Sequence, residues 1–145
     1  MSVAIFIGHA VLIGIVAGLR TTIAPAAVAY ARGSGLWILF AVLAVAELIR
    51  DVMPKVPRRT IPPSVLLRCV SGGASAYFLA GLFASAPPGV TGGAIAAACG
   101  VAGALIGTYG GYAVRRALTR RLPDLPVAIA EDIVTIALAI VAIAR

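Results

Sequence analysis

The sequence predicts an all-α fold, a polytopic transmembrane helical bundle of about five spans with a discontinuous first segment. Composition is the main reason: 61% of the 145 residues are hydrophobic and only 12% are charged, with a mean hydropathy of +1.07. A soluble domain is about 45–50% apolar and about 25% charged. Because a domain this small still exposes about a third of its unfolded surface, a water-soluble core cannot absorb the excess. A soluble globular enzyme and a disordered chain are both disfavoured.

Apolar runs of about 20 residues, the length that a bilayer core requires, mark the spans along the chain. We place them at 3–31, 36–52, 65–84, 90–114 and 126–144. Residues 69–114 carry no charge and are too many for one crossing, but the turn sequence APPG at 86–89 divides them. The proline-rich residues 53–63 are predicted to form an extended cytoplasmic linker.

The first segment, 3–31, is long for a single crossing, so it either crosses once or combines a crossing with a half-helix. Thr22 is a favourable N-cap and Pro25 is tolerated in the first turn of a helix. A break at residues 20–22 with a restart near Ile23 is therefore predicted. Residues 1–8 carry no charge, which argues against a cleavable signal peptide.

Two turns contain most of the basic residues, and the net charge is +7. The turn between spans two and three is flanked by Arg50, Lys55, Arg58, Arg59 and Arg68, and the next basic turn holds Arg115, Arg116, Arg120 and Arg121. The positive-inside rule predicts that both turns are cytoplasmic, that the N-terminus is cytoplasmic and that the C-terminus is outside. Anionic lipid headgroups are the expected partners of these turns. Nucleic-acid binding is not expected, since no soluble segment interleaves basic and aromatic residues.

Small residues recur at spacings of three or four on three spans. They are Ala10, Gly14 and Gly18 on span one, Gly72, Ala76 and Ala80 on span three, and Gly92, Ala96, Gly100, Gly103, Gly107 and Gly111 on span four. Such stripes allow helix backbones to approach closely, within the chain or across a dimer. A pore wall of small residues is the alternative. We favour close packing and predict a homo-oligomer.

Ionisable residues within spans are costly and are candidates for function. Arg20 precedes Thr21 and Thr22, where a half-helix N-terminus would form a positive pocket for phosphate or carboxylate. Alternatively, Arg20 pairs with a buried carboxylate. Glu47 and Asp51 are four residues apart and share one helix face. They could bind a cation or relay protons, or act as counter-ions.

Span five carries Glu131 and Asp132 near its cytoplasmic end. Together with Glu47 and Asp51 they could build one polar cluster under the cytoplasmic face, with Arg68 as its predicted cation. Adjacent helical positions differ by about 100°, so Glu131 and Asp132 cannot face the same partner. His9 is a lone histidine. Cys69 and Cys99 lie in apolar stretches without metal-ligand spacing. No catalytic motif or phosphate loop is present, so no enzyme activity, cofactor or metal is predicted.

Three blocks of residues resemble a family of small bacterial membrane proteins labelled domain of unknown function 4126. The blocks are AGLR at 17–20, ELIRDVMP at 47–54 and RCVSGG at 68–73, and the similarity covers about residues 10–135. The resemblance implies an integral membrane helical protein and carries no established activity. It places Arg20, Glu47, Asp51 and Arg68 in the matching blocks.

Two functions follow from these features. The first is a small permease or channel-like protein of the bacterial cytoplasmic membrane that binds a small or anionic solute at Arg20. Glu47, Asp51 and Asp132 would then be gating or proton-coupling groups. The second is a non-transporting scaffold, assembly factor or lipid-binding protein in which the charges are structural.

Overall fold

Six α-helices make up most of the computed structural model, which describes residues 3–51, 61–84 and 86–144 without the side chains of Leu48, Arg50 and Asp51. The helices are α1 (Val3–Leu19), α2 (Ile23–Ala31), α3 (Leu36–Asp51), α4 (Pro62–Ala80), α5 (Val90–Leu118) and α6 (Asp124–Ile143). No strand occurs within those residues, and the all-α prediction is confirmed.

The discontinuity predicted in the first segment is also confirmed, since α1 ends at Leu19 and α2 begins at Ile23. One boundary differs from its prediction. The proline-rich linker was expected to extend to residue 63, but α4 already begins at Pro62. Proline suits the first turn of a helix, where its missing N–H would have no intrahelical partner. Residues 52–60 of that linker lie outside the described residues.

Helix α1 runs antiparallel to α4. Near the start of α1, the rings of Phe6 and Phe83 are 6.4 Å apart, and Phe83 follows the end of α4. Near the end of α1, the carbonyl of Gly18 accepts a hydrogen bond from Arg68, in the second turn of α4.

Helix α2 runs in the opposite direction, parallel to α4. Before α2, the carbonyl of Thr21 accepts a hydrogen bond of 2.5 Å from the hydroxyl of Ser71. Beyond α2, the guanidinium of Arg32 donates a hydrogen bond of 2.9 Å to the carbonyl of Phe78. Helices α1 and α2 therefore form a hairpin whose tip is the break at residues 20–22.

The hairpin changes the predicted topology of the chain ends. Nδ1 of His9, early in α1, donates to the carbonyl oxygen of Ala142, late in α6, at 2.9 Å. The start of α1 thus lies beside the end of α6 and the turn that follows α4, opposite the basic turn between α5 and α6. We predicted the N-terminus on the same face as the basic turns, and the structure corrects this. The reason is that residues 3–31 fold back at 20–22 rather than crossing once.

Glycines bring α1, α4 and α5 into backbone contact. A Cβ atom added at Gly14 would overlap the backbone of Gly100, and one added at Gly100 would overlap the backbone of Gly72. Three helices therefore meet at a point where only glycine fits. The small-residue stripe therefore packs helices against one another within the chain, which is one of the alternatives that the sequence predicted.

The remaining stripe glycines differ in what they touch. A Cβ at Gly18, Gly103 or Gly107 would meet backbone atoms of the facing helix, α5 or α1. A Cβ at Gly111 would meet the side chain of Leu19, whereas one at Gly92 would meet the carbonyl of Pro87 in the turn before α5. Gly92 therefore tightens a turn rather than a helix pair. The predicted homo-oligomer stays a prediction.

Apolar side chains face outward and several charged ones face inward. Val42 on α3 and Ile140 on α6 are each 61% exposed, whereas Arg20 is 2% and Arg68 is 4% exposed. Within the described residues, two helices are long and apolar enough to span a membrane, α5 with 29 residues and α6 with 20. The five predicted spans are not confirmed as a number, because α1 and the apolar part of α3 are shorter and α4, with 19 residues, is not among the helices that qualify.

Candidate functional site

The break between α1 and α2 leaves two helix ends inside the bundle, and each end binds a charged side chain. At the end of α1, the Arg68 guanidinium donates to the carbonyl of Gly18 and, at 3.0 Å, to that of Leu19. The last carbonyls of a helix have no intrahelical donor and carry the negative end of the helix dipole. Arg68, held on α4, supplies both the donors and the positive charge.

At the start of α2, the carboxylate of Glu47 accepts three hydrogen bonds. The backbone N–H groups of Thr21 and Thr22 donate at 3.2 Å each, and the Thr22 hydroxyl donates at 2.8 Å. Helix N-termini attract anions because their first amides lack acceptors. The anion that was predicted for this position is therefore a side chain of the protein itself.

Glu47 and Arg68 also approach each other, with Oε1 and Nη2 at 3.9 Å. Their side chains are 8% and 5% exposed. One pair of opposite charges thus binds the two helix ends that meet at the break, the C-terminal end of α1 and the N-terminal end of α2.

Arg20 lies at the tip of the hairpin and pairs with α6. Its Nε donates to Oδ1 of Asp132 at 2.7 Å, and Nη2 lies 2.6 Å from the same oxygen. The Arg20 side chain is 2% exposed and that of Asp132 is 15% exposed. Of the two predicted roles, pairing with a buried carboxylate is the one that the geometry fits. Among the described side chains, two cations and two anions therefore meet around the break, and the formal charges of these four sum to zero.

Glu131 faces a different partner from Asp132, as expected for adjacent helical positions. Its carboxylate lies 3.4 Å from Nη1 of Arg115 on α5, and Nη2 of Arg115 lies 3.0 Å from Oδ1 of Asp124. Asp124 is 68% exposed. This ionic group joins α5 to the start of α6, and its Arg115–Asp124 contact is at the surface, where exposed pairs add little stability.

Most of the predicted site residues come together, and the exceptions are few. Arg20, Thr21, Thr22, Glu47, Arg68 and Asp132 surround the break. Of the carboxylates in the predicted cluster, Glu47 lies 3.9 Å from Arg68, the predicted cation, while Asp132 contacts Arg20 and Glu131 contacts Arg115. The side chain of Asp51 lies outside the described residues.

A cleft of about 510 Å³ lies between α2, α3 and α4. Its floor near the break is formed by Thr21, Thr22 and Ser71, and Arg32 and Ser34 lie at its other end. Apolar side chains form the rest of the wall: Pro25, Val28, Ala29, Leu36, Phe40, Leu67, Val70, Ala74 and Phe78. The volume falls within the range of about 300–1,000 Å³ that is typical of small-molecule sites.

The wall of this cleft includes one unsatisfied polar atom. The hydroxyl of Ser75 has no hydrogen-bond partner within the described residues, and the residue is 3% exposed. Leaving a buried hydroxyl unpaired costs about 1–3 kcal/mol. Sequence reasoning missed Ser75 and Ser71. Their spacing of four on one apolar span was the signal that could have found them.

A second cleft of about 480 Å³ lies on the other side of α2, between α2, α3 and α6. Asp132 contributes to its lining, and its other walls are mainly alanine, valine and isoleucine side chains. Helix α3 is consequently flanked by clefts and packs chiefly on α2.

Comparisons with models of known families, with curated proteins and with solved structures find no match for this chain. The resemblance to domain of unknown function 4126 is therefore neither supported nor contradicted, and it stays a prediction.

Proposed function

We propose that this chain is an integral membrane protein that holds a lipid-like amphiphile in the cleft between α2, α3 and α4. The distribution of side chains supports the membrane location. Exposed Val, Leu and Ile side chains occur on all of the long helices, whereas the guanidinium groups of Arg20 and Arg68 are buried. In a bilayer, apolar surfaces face hydrocarbon and charges pair inside the bundle.

The positions of the helix ends support one orientation of the bundle in the membrane. The start of α1 and the end of α6 lie at one end of the bundle, and the turn with Arg120 and Arg121 lies at the other. Since basic turns stay on the cytoplasmic side, we propose that both chain ends face away from the cytoplasm. Tyr30 and Trp37, packed edge to face at 5.9 Å in the turn between α2 and α3, would then anchor the outer interface.

The cleft is the observation that carries the functional proposal. Leu67 is 60%, Val70 is 59% and Phe78 is 54% exposed, and all three line the cleft. The cleft therefore opens sideways between helices, toward the surface that would contact hydrocarbon. An apolar chain can enter from the bilayer by this route without crossing water.

The geometry favours the non-transporting alternative over the permease. The solute site of the permease required an available Arg20 and an open N-terminus on α2. Asp132 lies against Arg20, and Glu47 occupies the amides of Thr21 and Thr22. Transport of a small or anionic solute stays a prediction, and it would require one of these carboxylates to leave its partner.

A photoactivatable probe tests the proposed function. The full chain in lipid nanodiscs is irradiated with a phosphatidylglycerol that carries a diazirine on one acyl chain, and crosslinked residues are mapped by mass spectrometry. We expect crosslinks on the cleft walls of α2, α3 and α4. Ala74→Trp, which fills the cleft, should remove most of them, whereas Ala98→Trp on the exposed face of α5 should not. Crosslinks spread evenly over all helices, or unchanged in Ala74→Trp, would refute a specific site.

A further inference from the structure

Two of the polar residues that line the cleft, Arg32 and Ser75, differ in charge and in depth. Arg32 follows the last residue of α2, is exposed, and donates to the carbonyl of Phe78 at 2.9 Å. Its guanidinium also lies over the ring of Phe78, 5.8 Å from the centroid. Ser75, on the same helix as Phe78, is three residues earlier and is buried without a partner.

The spacing of these groups corresponds to the chemistry of one class of molecule. Three residues of helix span about 4.5 Å along the axis, so the Ser75 hydroxyl lies that much deeper than the ring on which Arg32 rests. A guanidinium has five donors in a fork that suits phosphate oxygens. An unpaired hydroxyl in an apolar wall favours a ligand that brings its own acceptor to that depth.

From the unpaired Ser75 and the neighbouring Arg32 we infer that the amphiphile in the cleft is a glycerophospholipid. Its phosphate binds Arg32 at the end of the cleft near the turn between α2 and α3, and an ester carbonyl accepts a hydrogen bond from the Ser75 hydroxyl. The acyl chain then lies against Val28, Phe40 and Val70. This inference rests on the proposed function and names the ligand of the same cleft.

The far end of the cleft supports this orientation. There the backbone amides of Thr21 and Thr22 already bind the Glu47 carboxylate, and the Ser71 hydroxyl donates to the carbonyl of Thr21. A phosphate placed at that end would lie next to a carboxylate. The positive charge of Arg32 is therefore the complement for an anionic headgroup, and the apolar middle of the cleft suits the chain.

Paired variants and analogues test the two contacts separately. Retention of three probes is measured by native mass spectrometry of the full chain: phosphatidylglycerol, its ether-linked analogue without ester carbonyls, and diacylglycerol without the phosphate. Ser75→Ala should weaken retention of phosphatidylglycerol about three- to tenfold, the effect of one neutral hydrogen bond, and leave the ether analogue unchanged. Arg32→Gln should weaken phosphatidylglycerol about fivefold, the effect of one basic residue at a membrane surface, and leave diacylglycerol unchanged.

Thr119→Ala, on the exposed end of α5, serves as the matched control and should change none of the three. If Ala74→Trp abolishes retention but Ser75→Ala and Arg32→Gln weaken all probes equally or none, the cleft binds an amphiphile that is not held as a phospholipid, and the inference is wrong. If Ala74→Trp has no effect either, the proposed function itself fails. Tighter binding of diacylglycerol than of phosphatidylglycerol to the unaltered chain would also overturn the phosphate contact.

Discussion

Glu47 on α3 and Arg68 on α4 lie 3.9 Å apart, and they bind the two helix ends that meet at the break, the start of α2 and the end of α1. Glu47 accepts from the amides that open α2, and Arg68 donates to the carbonyls that close α1. Each side chain thereby satisfies backbone groups that have no helical partner, in a position where water is largely excluded. We therefore expect substitutions of these two residues to lower the free energy of unfolding measurably.

Replacing Glu47 should destabilise the protein. Glu47→Ala leaves the two amides, the Thr22 hydroxyl and the Arg68 guanidinium without this carboxylate, so we expect a loss of about 3–5 kcal/mol, as for a broken buried ion pair. Glu47→Gln keeps an acceptor oxygen and should lose less. Unfolding in detergent, followed by circular dichroism, measures both. Asp124→Asn removes an exposed carboxylate and should cost at most about 1 kcal/mol. Equal losses in Glu47→Ala and Asp124→Asn would argue against the arrangement at the break.

The Arg20 and Asp132 pair should behave as a coupled unit. Arg20→Ala removes the buried guanidinium that lies 2.6 Å from Asp132, and we expect a loss of about 3–5 kcal/mol. The double variant with Asp132→Ala should lose clearly less than the sum of the two single variants, with a coupling of about 1–3 kcal/mol. Unfolding in detergent, followed by circular dichroism for the unaltered chain, the two single variants and the double variant, measures this coupling. Additive losses would mean that the two side chains act independently.

Gly100 should be intolerant of even one methyl group. In Gly100→Ala the new Cβ would overlap the backbone of Gly72 and lie 2.6 Å from Cβ of Ala76, so α4 and α5 must separate. We expect a loss of about 1–3 kcal/mol from overpacking. Gly110→Ala on the same helix meets nothing within 4 Å and should be neutral or stabilise by up to about 1 kcal/mol. Equal thermal midpoints for Gly100→Ala and Gly110→Ala would contradict the close contact between α4 and α5 at Gly100.

The orientation of the chain ends can be read from thiol labelling. In a chain whose Cys69 and Cys99 are replaced by alanine, Val3→Cys and Arg120→Cys are labelled with a membrane-impermeant maleimide in intact cells. Because the two sites lie at opposite ends of the bundle, we expect labelling at Val3→Cys and labelling at Arg120→Cys only after the cells are opened. Equal accessibility of both sites in intact cells would contradict the proposed topology.

Local signals explain which parts of the fold were predictable. Pro25 has a conformational preference that acts within one helical turn, so the restart of the helix at Ile23 could be predicted. Thr22 does occupy the N-cap position, but its hydroxyl donates to Glu47 instead of capping α2. The spacing of Gly14, Gly18 and Gly100 likewise identified the close helix contacts. The partner of each buried charge was not predictable, because several carboxylates and guanidinium groups satisfy the same local rules.

Glu47 illustrates the difference between local and long-range information. It lies 25 residues from Thr22, and nothing near it in the chain indicates that it fills the N-terminus of α2. The sequence predicted a helix N-terminus beside Arg20 that would bind an anion, but it did not identify which anion. Ser75 escaped notice for a related reason, since only the surrounding helices decide whether a hydroxyl has a partner.

By itself the sequence determined the helical class, the apolar surface, the break at residues 20–22 and the small-residue stripe. These features depend on composition and on backbone preferences that span a few residues. The tertiary structure alone decided that α2 turns back along α1, that Arg20 pairs with Asp132, and that a cleft with an unpaired Ser75 lies beside α2. Each of these depends on which distant segments pack together, and packing is chosen by the summed contacts of the whole bundle rather than by any one stretch of chain.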